Sequence, residues 1–504
     1  MNAPFDGPQP ERADLDVAVI GAGFSGICMA IALRQAGYKS FRVFEKTSDI
    51  GGTWRDNRYP GCVCDVPSHL YSFSFEQNPD WSRSYSPQAE IWRYMKHCAS
   101  KYGVLPHFRF NAPVAAASYD ETRHLWRITL KSGETITARA LVSGVGALHL
   151  PSYPRIDGIE NFAGRAFHSS QWDDGLDLTG RKVGVVGTGA SAIQIVPSIA
   201  PKVKQLTLFQ RTPAWVLPRM DYSFSAGAKR LFRTIPGLQT LFRDTIYWTM
   251  EMRAPGFLGN RKLMSRVEKL ALRHLEKTIA DPKLRAALTP DYQVGCKRIL
   301  ISDDYYQALA GSNVVLVTSP IGRATPSGIV TADGCEHQLD TLVYATGFRA
   351  NEPLAELEIR GRGGHSLAYE WRYGAEAYYG MTVAGYPNFF MLVGPNTGLG
   401  HNSMIFMIEA QAHYIMHCIA WLLREGADEV DVKERVQRDF NSRLKARMDR
   451  TVWQSGCRSW YLNENGTNST IWPDFSVSYW WQTRQPDPHD FKFVVPEPSA
   501  SILS

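Results

Sequence analysis

Two segments of the chain place glycines after an apolar stretch, a pattern suited to binding a nucleotide. In the first, Gly21, Gly23 and Gly26 follow a strand pattern and open a helical one. Such glycines permit a tight turn and let the backbone approach a pyrophosphate, which the helix N-terminus attracts. Glu45 ends the next strand pattern, where a carboxylate accepts hydrogen bonds from ribose hydroxyls. The segment is predicted to be a βαβ unit that binds a dinucleotide.

The same pattern recurs at Gly187 and Gly189. Arg211 stands 24 positions after Gly187, and Glu45 stands 24 positions after Gly21, so the two charged residues occupy equivalent strand ends. A carboxylate there would repel the 2′-phosphate of NADPH, whereas a guanidinium can pair with it. The first site is therefore predicted to bind FAD and the second NADPH. A solvated arginine at a strand end is the alternative interpretation of Arg211.

A loop rich in glycine and polar residues, residues 51–65, follows the first unit and ends at Asp65. Asp65 could simply cap a turn. The loop also contains Cys62 and Cys64, and a cysteine pair beside a flavin would suggest a disulfide reductase. One intervening residue places the two side chains on opposite faces of an extended chain, and redox pairs usually have wider spacing. A disulfide reductase is therefore not favoured, and no His, Cys or acidic cluster has metal-ligand spacing.

The segment just before the second glycine loop carries a further pattern, F-x-G-x-x-x-H-x-x-x-W-[P/D]. Its fixed residues are Phe162, Gly164, His168, Trp172 and Asp173. This spacing resembles the signature of the type I Baeyer-Villiger monooxygenases. Residues 51–65 resemble a second signature of that family, [A/G]-G-x-W-x-x-x-x-[F/Y]-P-[G/M]-x-x-x-D. The resemblance implies an enzyme that uses FAD, NADPH and dioxygen to insert an oxygen atom beside a carbonyl group.

The resemblance also implies the catalytic groups. Arg298, in a basic pair with Lys297, would stabilise a C4a-peroxyflavin and the tetrahedral adduct formed with the substrate. Asp65 would hold Arg298 in position, and Lys297 with Arg211 would bind the 2′-phosphate. From the pattern alone, the basic pair could equally lie in a surface loop.

Two further roles come from the same resemblance. Trp460 would reach the bound nicotinamide cofactor, although packing is an alternative for this tryptophan. His168 would couple the two lobes during turnover rather than act as a general base; a satisfied linker histidine is the alternative. The remaining implied cofactor contacts are Ser25, Thr53, Trp54, Tyr71, Val114, Thr188, Ser191, Ala192, Gln194 and Thr212.

The predicted reaction is the NADPH- and O2-dependent conversion of hydrophobic ketones to esters or lactones, with oxidation of soft sulfides as a side activity. Two alternatives stay open. A flavin monooxygenase that oxygenates nitrogen or sulfur shares both glycine loops. A flavin-binding protein without oxygenase activity would keep the fold for binding alone.

The predicted fold is α/β, with two Rossmann-like dinucleotide-binding domains. The FAD domain is expected to be discontinuous, over residues 1–150 and 350–504, with the NADPH domain over residues 151–349 between its parts. Residues 222–292 lack a strand pattern and show helical periodicity, which predicts a helical insert in the NADPH domain. Its Met and aromatic side chains, Tyr247, Trp248, Met250 and Met252, are expected to pack in a core, with a substrate tunnel or membrane contact as alternatives.

The composition limits the classes of partner. A chain of 504 residues with a net charge of +6 and no long Lys/Arg run does not favour nucleic acid. No apolar stretch reaches the ~18 to 20 residues that span a bilayer. Residues 1–12 predict a loose leader rather than a signal peptide, and the eight cysteines lack disulfide-framework spacing. We expect a cytoplasmic protein that is a monomer or weak homo-oligomer.

Overall fold

The computed structural model describes residues 13–495, so the predicted leader lies outside the described residues. The strands of this part of the chain are β1 (Leu15–Ile20), β2 (Phe41–Phe44), β3 (Phe108–Arg109), β4 (Val114–Asp120), β5 (Leu125–Leu130), β6 (Thr135–Ser143), β7 (Arg165–His168), β8 (Lys182–Val186), β9 (Gln205–Phe209), β10 (Val216–Leu217), β11 (Leu300–Ile301), β12 (Val314–Val317), β13 (Ile321–Thr325), β14 (Gly328–Thr331), β15 (Glu336–Gln338), β16 (Thr341–Tyr344), β17 (Glu358–Arg360), β18 (Phe389–Met391), β19 (Glu429–Val432) and β20 (Phe491–Val494).

The same part of the chain also forms α-helices. They are α1 (Phe24–Gln35), α2 (Thr53–Asp56), α3 (Gln88–Lys101), α4 (Ala192–Ile199), α5 (Ala226–Thr234), α6 (Leu238–Glu251), α7 (Ala254–Phe257), α8 (Arg261–Thr278), α9 (Pro282–Leu288), α10 (Tyr305–Leu309), α11 (Leu367–Glu370), α12 (Met404–Leu423), α13 (Glu434–Met448) and α14 (Ser476–Gln482). Short 3-10 turns lie at Leu105–His107, Ile159–Asn161, Ser169–Gln171, Arg362–Gly364, Trp371–Tyr373, Val452–Gln454 and Pro488–Asp490.

The larger sheet has eight strands in the order β17-β4-β5-β6-β1-β2-β3, with β18 paired to β6. β1 pairs in parallel with both β2 and β6. β18 pairs in parallel with residues 141–143 of β6, beyond the residues of β6 that pair with β5. Helices α1 and α12 pack against this sheet through a shared core that includes Ile27, Ile31 and Ile415. The sheet therefore combines strands from residues 15–143 with strands from residues 358–391.

The second sheet has five parallel strands in the order β12-β9-β8-β16-β7. Parallel strands buried on both faces need crossover helices, and α4 fills that role between β8 and β9. Its core includes Val185, Ile195 and Val343. The predicted α/β class with two Rossmann-like units is confirmed. The exact domain limits, 1–150, 151–349 and 350–504, stay a prediction.

The segment predicted as a helical insert forms the five helices α5 to α9. The packing of its large side chains differs from the expectation. Tyr247 and Met250 are buried, but Trp248 is 53% and Met252 75% exposed. Trp248 lies in α6 and Met252 directly follows its last residue, and both are exposed, so the core-packing prediction is wrong for them. No helix within residues 13–495 is both long and apolar enough to cross a membrane.

Candidate active site

A cavity of about 1190 Å³ lies between the carboxyl ends of the two sheets. Its lining takes in the predicted cofactor residues from both glycine loops, the 51–65 loop, the Lys297-Arg298 pair and Trp460. Only Gly26 and Ala192 of the predicted cofactor residues do not line it. Gly26 instead lets α1 pack on β1, because a Cβ there would lie 1.8 Å from the Gly21 carbonyl oxygen. Ala192 is fully buried at the start of α4.

The two glycine loops have matching backbone geometry. Gly21 and Gly187 each follow the last residue of a parallel strand and adopt positive φ angles of +97° and +108°. A side chain at either position would also meet a backbone carbonyl, at Gly144 or Ala345. Glycine is therefore required for the turn that brings the backbone amides to the cavity. Both loops fit a pyrophosphate, so the cavity has the two cradles that FAD and NADPH need.

The Glu45 carboxylate lies at the first cradle and is only 4% exposed. One oxygen accepts a hydrogen bond from the Ala22 amide at 2.8 Å, and the other accepts from Thr47. Arg55 lies 3.2 Å from the second oxygen and was not anticipated from the sequence. Arg55 belongs to the 51–65 loop, so this ion pair connects that loop to Glu45 at the first cradle.

The second cradle carries two cations, Arg211 and Lys297. The Lys297 ammonium stands 4.5 Å from the centre of the Tyr292 ring. Burial lowers the pKa of Lys297, and the nearby Arg211 lowers it further, against a smaller raising effect of Asp291. Both cations line the cavity. Thr188 donates a hydrogen bond to the Thr212 carbonyl at 2.7 Å and so ties the glycine loop to the segment after Arg211. A doubly charged phosphate would relieve the repulsion between the cations.

Arg298 and Asp65 form an ion pair in the cavity wall. Both the Nε and Nη2 atoms of Arg298 approach the same Asp65 oxygen, at 2.8 and 2.7 Å. Each side chain is 28% exposed, so the pair faces the cavity rather than the closed core. The Asp65 carboxylate raises the pKa of Arg298 well above its usual range, against the opposing effect of burial. The structure thus supplies a permanent positive charge beside the cavity.

The rest of the 51–65 loop is fixed by side chains from both lobes. The Trp54 indole donates to the Tyr71 hydroxyl at 3.0 Å, and burial raises the pKa of that phenol. The Gln194 amide, on α4, accepts from Tyr59 and the Val63 amide and donates to the Val63 carbonyl. Gln194 therefore lines the cavity while holding the loop of one lobe against the helix of the other. Thr53 and Val114 also line the cavity.

Cys62 and Cys64 are not bonded to each other. Burial raises the pKa of the Cys62 thiol to about 12 and raises that of Cys64 strongly as well. Thiols with such pKa values carry little thiolate at neutral pH and are poor nucleophiles. The geometry gives no support to a disulfide-reductase function.

His168 is fully buried at the end of β7. Because the Gly347 carbonyl can only accept, the His168 Nε2 atom donates to it at 2.9 Å, and the Nδ1 atom accepts from the Ser170 hydroxyl at 2.8 Å. Burial lowers the pKa of His168, which favours the neutral form of the ring, against a smaller raising effect of the bond to Gly347. The ring does not line the cavity but joins the segment of residues 162–173 to the turn after β16.

The other fixed residues of this segment surround β7 rather than the cavity. Phe162 and Trp172 are buried, and Gly164 immediately precedes the strand. Asp173 accepts from Arg165 at 2.9 Å and from the Gly175 amide at 2.9 Å. None of these signature residues lines the cavity.

Comparison with known proteins identifies the family. The model of the flavin-binding monooxygenase-like family matches residues 14–362. A Baeyer-Villiger monooxygenase of Pseudomonas aeruginosa is 48% identical over 483 residues, 95% of this chain and 92% of its own. A Baeyer-Villiger monooxygenase of Streptomyces coelicolor is 46% identical over 96% of this chain and 93% of its own. The chain belongs to the Baeyer-Villiger monooxygenases.

Solved structures resemble this Baeyer-Villiger monooxygenase over nearly its whole length. OTEMO in complex with FAD and NADP superposes with a TM-score of 0.86 at 30% identity, covering 96% of this chain and 100% of that one. Closed cyclohexanone monooxygenase gives a TM-score of 0.86 at 27% identity over the same shares. The predicted FAD and NADP cofactors are confirmed by these neighbours.

One expectation about the monooxygenase needs correction. Cys296 and Cys457 form a disulfide with a Cα–Cα distance of 6.2 Å, although 161 residues separate them. The pairing could not be recognised from the sequence, because only the fold brings these two distant segments together. Cys296 lies two positions before Arg298, and Cys457 three before Trp460, so the bond ties the C-terminal loop to the active-site loop. The other six cysteines are free.

Trp460 lines the cavity of the monooxygenase and is 42% exposed, so the alternative of a buried packing tryptophan is wrong. Asn351 holds its backbone by donating to the carbonyls of Trp460 and Leu462. The next residue, Tyr461, is buried beside Arg298. Burial raises the pKa of the Tyr461 phenol, and the positive charge of Arg298 partly opposes that rise. The C-terminal loop therefore reaches the same wall as the ion pair.

Proposed function

We propose that this chain is an NADPH- and O2-dependent monooxygenase that converts hydrophobic ketones to esters or lactones. The observation that carries the proposal is the Arg298–Asp65 ion pair in the wall of a cavity that joins two dinucleotide cradles. The cradle beside Glu45 would hold FAD, and the cradle beside Arg211 would hold NADPH.

When bound and reduced, FAD supplies the electrons that activate dioxygen for insertion beside a carbonyl. Arg298 would supply a fixed guanidinium where negative charge develops on oxygen as the ketone carbonyl is attacked. Asp65 keeps the guanidinium oriented, because both of its bonded nitrogens point at one carboxylate oxygen. Pre-oriented charge of this kind needs no reorganisation during the reaction.

Selection of NADPH over NADH is assigned to Arg211 and Lys297. Both line the cavity near Thr188 and Thr212. The cations would pair with the 2′-phosphate, and the Ser191 and Thr212 hydroxyls, which also line the cavity, would donate to phosphate oxygens. Trp460 would pack on the nicotinamide from the C-terminal loop.

A conformational role is assigned to His168. Its hydrogen bond to Gly347 joins the signature segment to the chain crossing between lobes, so the ring would transmit movement of one lobe to the other. A neutral, fully buried ring with both nitrogens occupied is unsuited to proton transfer with substrate.

The substrate class follows from the cavity wall near residues 398–408. Leu399, Met404 and Ile408 line it with apolar surface. Two solved relatives are named cyclohexanone monooxygenase and steroid monooxygenase. We infer that hydrophobic ketones, including cyclic ones, are the substrates. Because NADPH is an intracellular reductant, we also infer a cytoplasmic location. The oligomeric state stays a prediction of a monomer or weak homo-oligomer.

A ketone panel tests the proposal. Purified holoenzyme is supplied with NADPH and linear, cyclic or aryl ketones, and NADPH loss is compared with ester formed. The proposal predicts one ester for each NADPH consumed with at least one ketone class. Hydrogen peroxide in place of ester for every ketone, or exclusive oxygenation of amines, would refute it.

A further inference from the structure

Glu251 is a buried carboxylate outside the candidate active site. It ends α6 of the helical insert, and 1% of its surface is exposed. One oxygen accepts from the Asn402 amide at 2.6 Å and from the Ser476 hydroxyl at 2.7 Å, and lies 3.2 Å from His401 Nε2. The other oxygen accepts from the Val477 amide at 3.0 Å. Four donors from two distant segments thus converge on one carboxylate.

These donors keep Glu251 charged. Burial alone would raise its pKa, but the bonds from His401, Ser476, Val477 and Asn402 lower it to about 2. Removing a charged acceptor from such a cluster leaves buried donors unpaired, which costs more than losing an exposed hydrogen bond. The carboxylate is therefore the common anchor of its neighbours.

Two consecutive residues of the loop after β18 depend on this anchor. His401 and Asn402 both turn their side chains to Glu251, and both are about 95% buried, at 5% and 4% exposure. Asn402 also lines the cavity, as do Gly398, Leu399 and Met404 on either side of it. Glu251, His401 and Ser476 do not line the cavity. The direct connection from Glu251 to the cavity wall therefore runs through Asn402, in the loop of residues 398–404.

The loop also packs against aromatic side chains outside the cavity. The His401 ring packs 6.3 Å from the Phe257 ring, and Phe257 stacks on Trp453 at 5.6 Å. Beyond Asn402, the Ser403 amide donates to the Asn402 side-chain oxygen at 2.8 Å. The Asn402 amide group therefore has a defined orientation, with its nitrogen on Glu251 and its oxygen on Ser403.

We propose that Glu251 is a positioning residue for the ketone: through His401 and Asn402 it holds residues 398–404 as the ketone-facing wall of the cavity. This inference rests on the proposed function. The helical insert then determines ketone affinity and the orientation of the ketone, while the flavin and NADPH cradles, which Glu251 does not touch, are independent of it.

The test is Glu251→Gln, which keeps the size of the side chain but presents an amide to donors. Steady-state KM and kcat are measured for ketones and for NADPH, together with flavin reduction by NADPH and the ratio of the two esters from an unsymmetrical ketone. The ketone KM is expected to rise about tenfold or more, and the ester ratio to change. The NADPH KM and the flavin reduction rate are expected to stay within about twofold of the parent.

Glu429→Gln is the matched control. Glu429 is also 1% exposed, accepts bonds from Tyr119 and Arg362, and does not line the cavity. It should leave the ketone KM and the ester ratio unchanged. If Glu251→Gln does not fold, Ser476→Ala removes one donor without stranding a charge and must shift the ester ratio.

The outcomes separate the two proposals. A parent enzyme that forms no ester refutes the proposed function. A parent that forms ester, with a Glu251→Gln variant of unchanged ketone KM and ester ratio, overturns this inference alone. Equal changes in the ketone and NADPH parameters would also overturn it, because they would indicate general destabilisation.

Discussion

Arg298 and Asp65, 233 residues apart in sequence, meet at 2.8 Å between guanidinium and carboxylate in the cavity wall. One residue precedes β11 in the NADPH-binding half of the chain, and the other closes the loop beside the FAD cradle. The ion pair therefore joins the two lobes at the point where the two cofactors would meet. Its position makes separate tests of oxygen insertion and hydride transfer feasible.

Replacing Arg298 should separate these two steps. Arg298→Ala removes the fixed charge, and losing one oxyanion-stabilising donor typically costs ~3 to 4 kcal/mol, roughly a hundred- to a thousandfold in rate. We expect ester formation to fall by that factor, with flavin reduction by NADPH largely intact. Anaerobic absorbance of the flavin and product analysis measure the two steps. Ester formation at the parent rate would show that the charge is not needed.

Replacing Arg211 should change the choice between NADPH and NADH. Arg211→Ala removes one cation from the second cradle, and a charge-assisted hydrogen bond contributes about 1.5 to 3 kcal/mol. The NADPH KM should rise roughly tenfold to a hundredfold, while the NADH KM stays nearly constant because NADH lacks the 2′-phosphate. Flavin reduction with each nucleotide provides the measurement. A similar loss with both nucleotides would argue for a structural role instead.

Much of this site was predictable from local sequence, and the reason is visible at the glycine loops. Gly21, Glu45 and Arg211 act through positions fixed by the strand-turn-helix repeat, so their spacing carried the cofactor assignment. The Arg298–Asp65 pair could be inferred only from family resemblance. The Arg55–Glu45 pair and the Cys296–Cys457 bond were missed because they depend on tertiary contacts that no periodic pattern reports. The exposure of Trp248 was missed for the same reason.

His69 should make stability sensitive to mild acid. The ring is 2% exposed and packs against Phe224, Phe232 and Phe242 of the insert region, and burial lowers its pKa from 6.5 to about 4. The unfolded chain binds a proton at His69 more readily than the folded chain does. The contribution of the neutral, buried ring to folding stability is therefore complete above pH 6.5 and is lost as the pH falls toward 4. The slope is at most about 1.4 kcal/mol per pH unit.

The thermal unfolding midpoint of the parent should therefore fall more between pH 6.5 and 5 than that of His69→Gln, measured in the same buffers. His489→Gln serves as the control, because the His489 side chain is 94% exposed. Identical pH profiles for the parent and His69→Gln would contradict the assignment.

The Cys296–Cys457 disulfide should contribute to stability. It closes a loop with a sequence separation of 161 residues, which restricts the unfolded chain, and removing a native disulfide typically costs about 2 to 5 kcal/mol. Reducing agent should lower the unfolding midpoint of the parent to that of Cys457→Ser and leave the variant unaffected. Cys335→Ser, at an exposed free cysteine, should behave like the parent. A parent midpoint that does not respond to reducing agent would argue against the bond.

Isotope labelling of the product tests the central claim most directly. The holoenzyme is supplied with NADPH, a hydrophobic ketone and ¹⁸O₂, and the ester is analysed by mass spectrometry. The account predicts one ¹⁸O atom per ester, at the ring or bridging oxygen, and one NADPH consumed for each ester. Ester without ¹⁸O, or NADPH oxidation that yields only hydrogen peroxide, would contradict it.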